Sequence, residues 1–199
     1  MPRNQESLNN LKNERRNAII KSALYLFSYC GYAAVTLDDI SKESGLKRPL
    51  IYHYFNSKED IFHAVMKYTF DTFKERISYI SPSESDSYSR LERLVQDMRN
   101  ILMDKNDELP CMLFLLLNIH LQKEFIPKPK DRKPKEETPL LFRLISEAKK
   151  DGGLGNIDEL GCSLALLTML KGLAFNRINL GSKKFICPSL KIMMNVFKE

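Results

Sequence analysis

Thr36-Leu37-Asp38-Asp39-Ile40-Ser41-Lys42-Glu43-Ser44-Gly45-Leu46-Lys47-Arg48-Pro49-Leu50-Ile51-Tyr52-His53-Tyr54-Phe55 is the stretch whose reading decides the fold. Thr36 followed by Asp39 is a capping pair: the hydroxyl accepts from an orphan backbone N–H, and the carboxylate meets the positive end of a helix. That helix is about two turns long, with Leu37 and Ile40 inward, because Gly45 supplies the left-handed turn that stops it. Lys47-Arg48-Pro49 opens another short helix, since the N–H that proline lacks would be unpaired in a first turn anyway. Leu46, Ile51 and Phe55 point inward, and Ile40, Leu46 and Ile51 wedge the two helices at a fixed angle. Two short helices across a glycine turn make a helix-turn-helix, and the outward residues of the second are Lys47, Arg48, Leu50, Tyr52 and His53. A face of this kind suits the major groove of DNA, where all four base pairs are distinguishable.

Working outward, Ile20, Ala23, Leu24 and Phe27 form an i, i+3, i+4, i+7 stripe on a first helix from about Asn10 to Cys30, ended by Gly31. Ser57-Lys58-Glu59-Asp60 caps a long fourth helix with Ile61, Val65, Thr69, Phe73 and Ile77 on one face, which ends near the Ser- and Pro-rich stretch from Ser81 to Ser89. Leu91, Leu94, Val95, Met98, Ile101 and Leu102 mark a further helix, and the apolar segment Cys111 to Leu121 predicts one buried on all sides. Phe125 to Pro139 holds four of the nine prolines and predicts an exposed loop. Leu141, Leu144, Ile145 and Ala148 form the next stripe, stopped by Gly152-Gly153. Asp158 then begins a long helix reaching about Leu180. It is apolar on nearly every side: Leu160, Leu164, Leu167 and Ala174 make one face, and Cys162, Leu166, Met169 and Leu173 another. A partner subunit is its natural cover. Pro188 starts a last helix, with Leu190, Met193, Met194 and Phe197 spaced to pack beside it.

The expected class is therefore all-α. The domains expected are a helix-turn-helix unit over 1–58 and a second helical unit over 59–199. The length of 199 residues allows one or two domains, and a 43% hydrophobic content is too high for intrinsic disorder. The longest unbroken apolar run, Cys111 to Leu117, is far short of the roughly 18 residues of a membrane span. The polar Met1 to Ser7 lacks the apolar core of a secretory signal, so a cytoplasmic location is expected. Of the net charge of +6, +4 lies between Met1 and Lys58, where nine basic residues face five acidic ones. Arg3, Lys12, Arg15 and Arg16 read first as a solvated face. Cys30, Cys111, Cys162 and Cys187 are scattered among apolar neighbours, and His53, His63 and His120 form no metal spacing. No metal and no cofactor is expected. Without paired carboxylates, a nucleophile with its base or a phosphate-cradling glycine loop, neither is an enzyme.

The run from Thr36 to Leu46, leading into Ile51-Tyr52-His53-Tyr54-Phe55-Asn56-Ser57-Lys58-Glu59-Asp60, resembles the TetR family of tetracycline-repressor-like regulators. The likeness spans roughly Asn17 to Phe62, and beyond Tyr79 only helix pattern and length agree. It implies that Thr36 and Tyr52 donate to DNA phosphates and that Lys58 adds charge at a phosphate site. Base reading then falls to Lys47, Arg48, Leu50 and His53, with Arg48 suited to bidentate contact with guanine. Leu50 is evenly balanced between a thymine methyl and folding back onto the domain, while Tyr54 and Phe55 read as core. There are two departures from the family pattern: Lys47 replaces a small capping residue, and Pro49-Leu50 replace a Gly-Thr or similar pair.

For the remainder, the resemblance implies a ligand pocket, with Met98, Met112, Phe114, His120, Phe142, Met169 and Phe175 as candidate linings and an apolar or aromatic effector. It also implies a homodimer through the helices near 157–180 and 188–198, joined as a four-helix interface. The resulting expectation is a sequence-specific transcriptional regulator, a repressor released from double-stranded operator DNA by a small molecule of unknown identity. The alternative is a DNA-bound interaction protein governed by a protein partner or by thiol oxidation at Cys111 or Cys162.

Overall fold

A computed structural model describes residues 5–77, 86–118 and 140–198. Every regular element among the described residues is helical: α1 (Gln5–Cys30), α2 (Leu37–Ser44), α3 (Arg48–Tyr54), α4 (Lys58–Ile77), α5 (Ser87–Met103), α6 (Glu108–Asn118), α7 (Leu140–Lys150), α8 (Glu159–Lys184) and α9 (Leu190–Met194), followed by a 3-10 turn over Asn195–Phe197. The expected loop over 125–139 and His120 lie outside the described residues. The chain divides into two compact units, Met1–Thr72 and Phe73–Glu199. The division falls inside α4, past the junction at 58 and 59 expected from the sequence.

In the first unit, α1 begins earlier than Asn10 and buries Ile19, Ile20, Ala23, Leu24 and Phe27 almost completely. Phe27, Tyr32 and Phe62 pack as an aromatic cluster with ring centroids 5.1 to 5.8 Å apart, tying α1, the chain after it and α4 together. Ile40 of α2 and Ile51 of α3 are fully buried, as their inward positions require. Between them Gly45 takes φ 68°, where a side chain is disfavoured, and its N–H donates to the Lys42 carbonyl.

In the second unit, α5 lies against α7 and α6 against α8. The α5 stripe is buried as its spacing predicts, from Leu91 to Leu102. α6 differs from expectation: Met112, Leu113 and Leu115 are buried, whereas Phe114, Leu116 and Leu117 are half-buried. Asp158 caps α8, which runs past Leu180 to Lys184, but Gly181 at φ 70°, ψ 166° breaks the helix. The regular part therefore stops where the sequence places its end. The last helix is shorter than expected, five residues capped by Ser189 rather than a long partner for α8. Among the described residues no helix is long and apolar enough to cross a membrane.

Arg177 of α8 is the largest fully buried side chain. Its Nε donates to the Leu102 carbonyl at 3.1 Å, and its Nη2 donates to the Asp104 carbonyl at 2.8 Å and to Asp107 Oδ1 at 2.6 Å. A cation is thus set against the negative C-terminal end of α5 and the carboxylate that precedes α6.

Candidate nucleic-acid interface

The capping box at Thr36 fixes where α2 begins. The Asp39 N–H donates to Thr36 Oγ1 at 3.2 Å, and the Thr36 N–H donates back to Asp39 Oδ2 at 2.9 Å. The Thr36 hydroxyl proton also goes to Asp39 Oδ2, at 2.6 Å. These bonds hold the Asp39 carboxyl below its ordinary pKa. Thr36 therefore does not arrive with a free proton for a phosphate, as the family resemblance implies.

α3 is a single compact helix with Pro49 in its first turn and Lys47 at its N-cap, where the Lys47 side chain makes no capping bond. Lys47, Arg48, Tyr52 and His53 are exposed on it, and Leu50 is half-buried. Arg48 Nη1 donates to both oxygens of Asp38, at 3.1 and 3.2 Å, and Arg48 Nη2 donates to the Tyr52 hydroxyl at 3.2 Å. The guanidinium also lies 5.7 Å from the Tyr52 ring centroid. Tyr52 first and Asp38 second raise the guanidinium's pKa. Tyr52 accepts in this arrangement, so that bond does not use its own hydroxyl proton. The His53 ring stands edge-on to Tyr54 at 5.2 Å.

Lys58 is placed differently from the phosphate-facing cation that the resemblance implies. Its ammonium donates to the carbonyls of Tyr32 and Val35 at 2.9 and 2.7 Å and sits 4.3 Å from the Tyr32 ring centroid. It pins the segment before α2 to the start of α4. Arg16, read as a solvated charge, lies over the Phe55 ring at 5.1 Å.

In the second unit, Phe73, Leu94, Val95, Met98, Leu113, Leu116, Leu117, Leu141, Leu166, Leu167 and Leu170 line a partly open cavity of about 200 Å³. Among the described residues, every lining side chain is apolar. Among the described residues no group of three or more His, Cys, Asp or Glu is placed to hold a metal.

Residues 19–65 match bacterial regulatory proteins of the tetR family. The chain is 32% identical over 92 residues to the biofilm operon icaADBC negative transcriptional regulator IcaR of Staphylococcus epidermidis, covering 46% of this chain and 48% of that one. It is 40% identical over 67 residues to the transcriptional regulator HbdR of Aromatoleum sp., covering 34% and 29% respectively. Over residues 19–65 the chain resembles the TetR family. It spans about half the length of IcaR and under a third of HbdR. Over most of its length the fold also matches that of the fatty acid degradation regulator FadR of Bacillus halodurans, with a TM-score of 0.64 at 21% identity over 92% of this chain and 93% of that chain. A gamma-butyrolactone receptor gives 0.65 at 22% identity, over 83% and 81%. The relatives aligned by sequence are transcriptional regulators.

Of the expected pocket residues, Met98 lines the cavity. Met112 is fully buried outside its lining, and Phe114, Phe142 and Met169 are half-buried outside it. Phe175 is 56% exposed on α8, so it faces away from any interior. The lining is mostly leucine, which spacing alone read as ordinary core. Asp38 was also missed. It stands ten positions before Arg48, and only the angle between α2 and α3 brings the two together.

Proposed function

We propose that this TetR-family protein is a homodimeric, sequence-specific DNA-binding repressor that a small apolar molecule releases from its operator. The observation that carries the reading is the outer face of α3. Lys47, Arg48, Tyr52 and His53 stand exposed on a helix fixed from behind by buried Ile40 and Ile51, the arrangement that major-groove reading needs. Lys47, Arg48, Leu50 and His53 are assigned to base edges, Thr36 and Tyr52 to phosphates, and Lys58 to holding the α2 entry in place beside them. IcaR, a negative regulator by name, supports the sign of regulation.

Release follows from a cavity whose wall includes Phe73, in the C-terminal half of the α4 helix that begins at Lys58. A ligand that displaces Phe73 biases α4, and with it the entry to α2 that Lys58 holds. The occupant is neutral and apolar, because an anionic or cationic group among these leucines would be buried unpaired. At about 200 Å³ the space is somewhat above the roughly 150 Å³ cavity that accommodates benzene, which suits one or two small rings. The alternative control by thiol oxidation is disfavoured. Cys111 is fully buried, and the Cys162 thiol donates to the Val196 carbonyl while burial pushes its pKa up, so neither is a ready thiolate.

The second copy is assigned to the outer stripe of α8, where Leu160, Leu164 and Phe175 are more than half exposed, with Ile192 of α9 equally bare. The test of the reading is fluorescence anisotropy against the DNA flanking the protein's own gene, at several salt concentrations, beside an unrelated duplex. Tight, salt-sensitive binding that prefers the native fragment and falls for Arg48→Ala and Tyr52→Phe is the expected result. Equal, weak binding to every duplex overturns it.

A further inference from the structure

Arg48 is the side chain best suited to a guanine, and it is not free. Asp38 takes Nη1 with both carboxylate oxygens, and the Tyr52 hydroxyl takes Nη2. A guanidinium has five N–H donors in a fixed plane, so these two partners set the plane while leaving donors for a base. Side-chain exposure is 49% for Arg48 and 57% for Asp38, so the pair lies on the surface that α3 offers to DNA. An exposed ion pair of this kind adds little to folding stability, and stability alone gives it no purpose.

We infer that Asp38 is a specificity-determining positioning residue, one that turns Arg48 from a general phosphate ligand into a reader of base shape. The inference rests on α3 being the DNA-contacting helix. A bare arginine at this position gains from any phosphate, whatever the sequence. With the Asp38 carboxylate 3.1 Å away, the pair carries no net charge, and a phosphate also meets Asp38's repulsion. The guanine edge is a neutral pair of acceptors and asks for two aligned donors rather than for net charge. Asp38 therefore subtracts more from the wrong contact than from the right one, and that difference is specificity. Tyr52 contributes to the same orientation, and its remaining proton serves register on the backbone.

The experiment is selection by the full chain from a pool of duplexes carrying about 20 randomised base pairs, enough for two half-sites one helical turn apart. Wild type, Asp38→Asn, Arg48→Lys and the double variant are then titrated against the tightest wild-type duplex and against poly(dI-dC), across salt. Asp38→Asn is expected to bind poly(dI-dC) more tightly and with a salt slope steeper by about one phosphate contact. It should blur base preference at one symmetry-related position, cutting the ratio of specific to non-specific affinity roughly tenfold, the scale of one bidentate contact. Arg48→Lys loses the same preference, and adding Asp38→Asn to it blurs nothing further. An Asp38→Asn protein whose preference, ratio and salt slope all match wild type overturns the inference. So does a uniform weakening on every duplex with the preference kept, which is the mark of a merely structural residue. If wild type itself selects no sequence, the DNA reading fails, and the Asp38 role fails with it.

Discussion

Lys58 spends two of its three ammonium protons on the Tyr32 and Val35 carbonyls, so its removal acts first on folding. Lys58→Met is expected to destabilise the first unit by about 2 kcal/mol, the scale of hydrogen bonds to a charged group, read as a lower urea midpoint by circular dichroism. If the lysine were chiefly a phosphate ligand, DNA affinity would fall while the midpoint stayed. The capping carboxylates make a pH prediction. Asp39 is held below its ordinary pKa by Thr36, and Asp86 by Ser89. A folded-state pKa lowered in this way gives stability that is full above the unfolded value and is lost as pH falls through the folded one. Urea midpoints should therefore drop from about pH 4 downward, and the drop should be smaller for Asp39→Asn, which starts lower but has no proton to gain there. Equal slopes for the two proteins would show that the Asp39 cap is not linked to acid unfolding.

α2 and α3 were legible in the sequence because each boundary is written in one residue's chemistry: a threonine that caps, a glycine that accepts positive φ, and a proline that tolerates a first turn. Replacing Gly45 by Ala forces a Cβ into the left-handed region at φ 68°, which should cost about 1 to 2 kcal/mol and weaken DNA binding through the angle between the helices. Open space surrounds that added Cβ, so the cost is conformational rather than steric. Unchanged thermal stability would show that the turn does not need glycine. The last helices were less legible. Apolar spacing predicts a face but not how many turns carry it, and α9 stops after five residues where a long helix was expected. The Gly181 break has the same glycine signal as the ends of α1 and α2, and the sequence does place the end of the regular α8 helix just before it. Arg177 shows the limit most clearly. In sequence it is one charge in a greasy helix. Its three partners lie 70 to 75 positions away, at the end of α5 and just before α6, and no local pattern connects them.

Across the whole molecule, the question the sequence raises about α8 is what covers it. A helix has 3.6 residues per turn, so Leu160, Leu164 and Phe175 fall within one narrow stripe, and each is more than half exposed at 59%, 55% and 56%. Leu166, Leu170 and Arg177, on the opposite side, are buried. The inner side is thus fully used by the second unit, and the outer stripe has no partner within the described chain. Three large apolar side chains aligned along one helix cost free energy in water, and a second copy meeting them across a two-fold axis removes that cost for both chains at once. In the proposed dimer the same two-fold would supply two α3 helices, which is what a palindromic site needs, so the proposal links subunit pairing to DNA affinity. Leu164→Glu places a carboxylate near its own mate across the axis. Sedimentation equilibrium is expected to show the variant as a monomer where wild type is a dimer. Its affinity for a duplex with two half-sites should fall by well over tenfold, because the second contact is no longer intramolecular. Affinity for a single half-site should be unchanged, since Leu164 is remote in sequence from α3 and the first unit folds around its own core. A variant that stays dimeric would place the subunit contact elsewhere. One that becomes monomeric yet holds the two-site duplex as tightly as wild type would separate pairing from DNA binding.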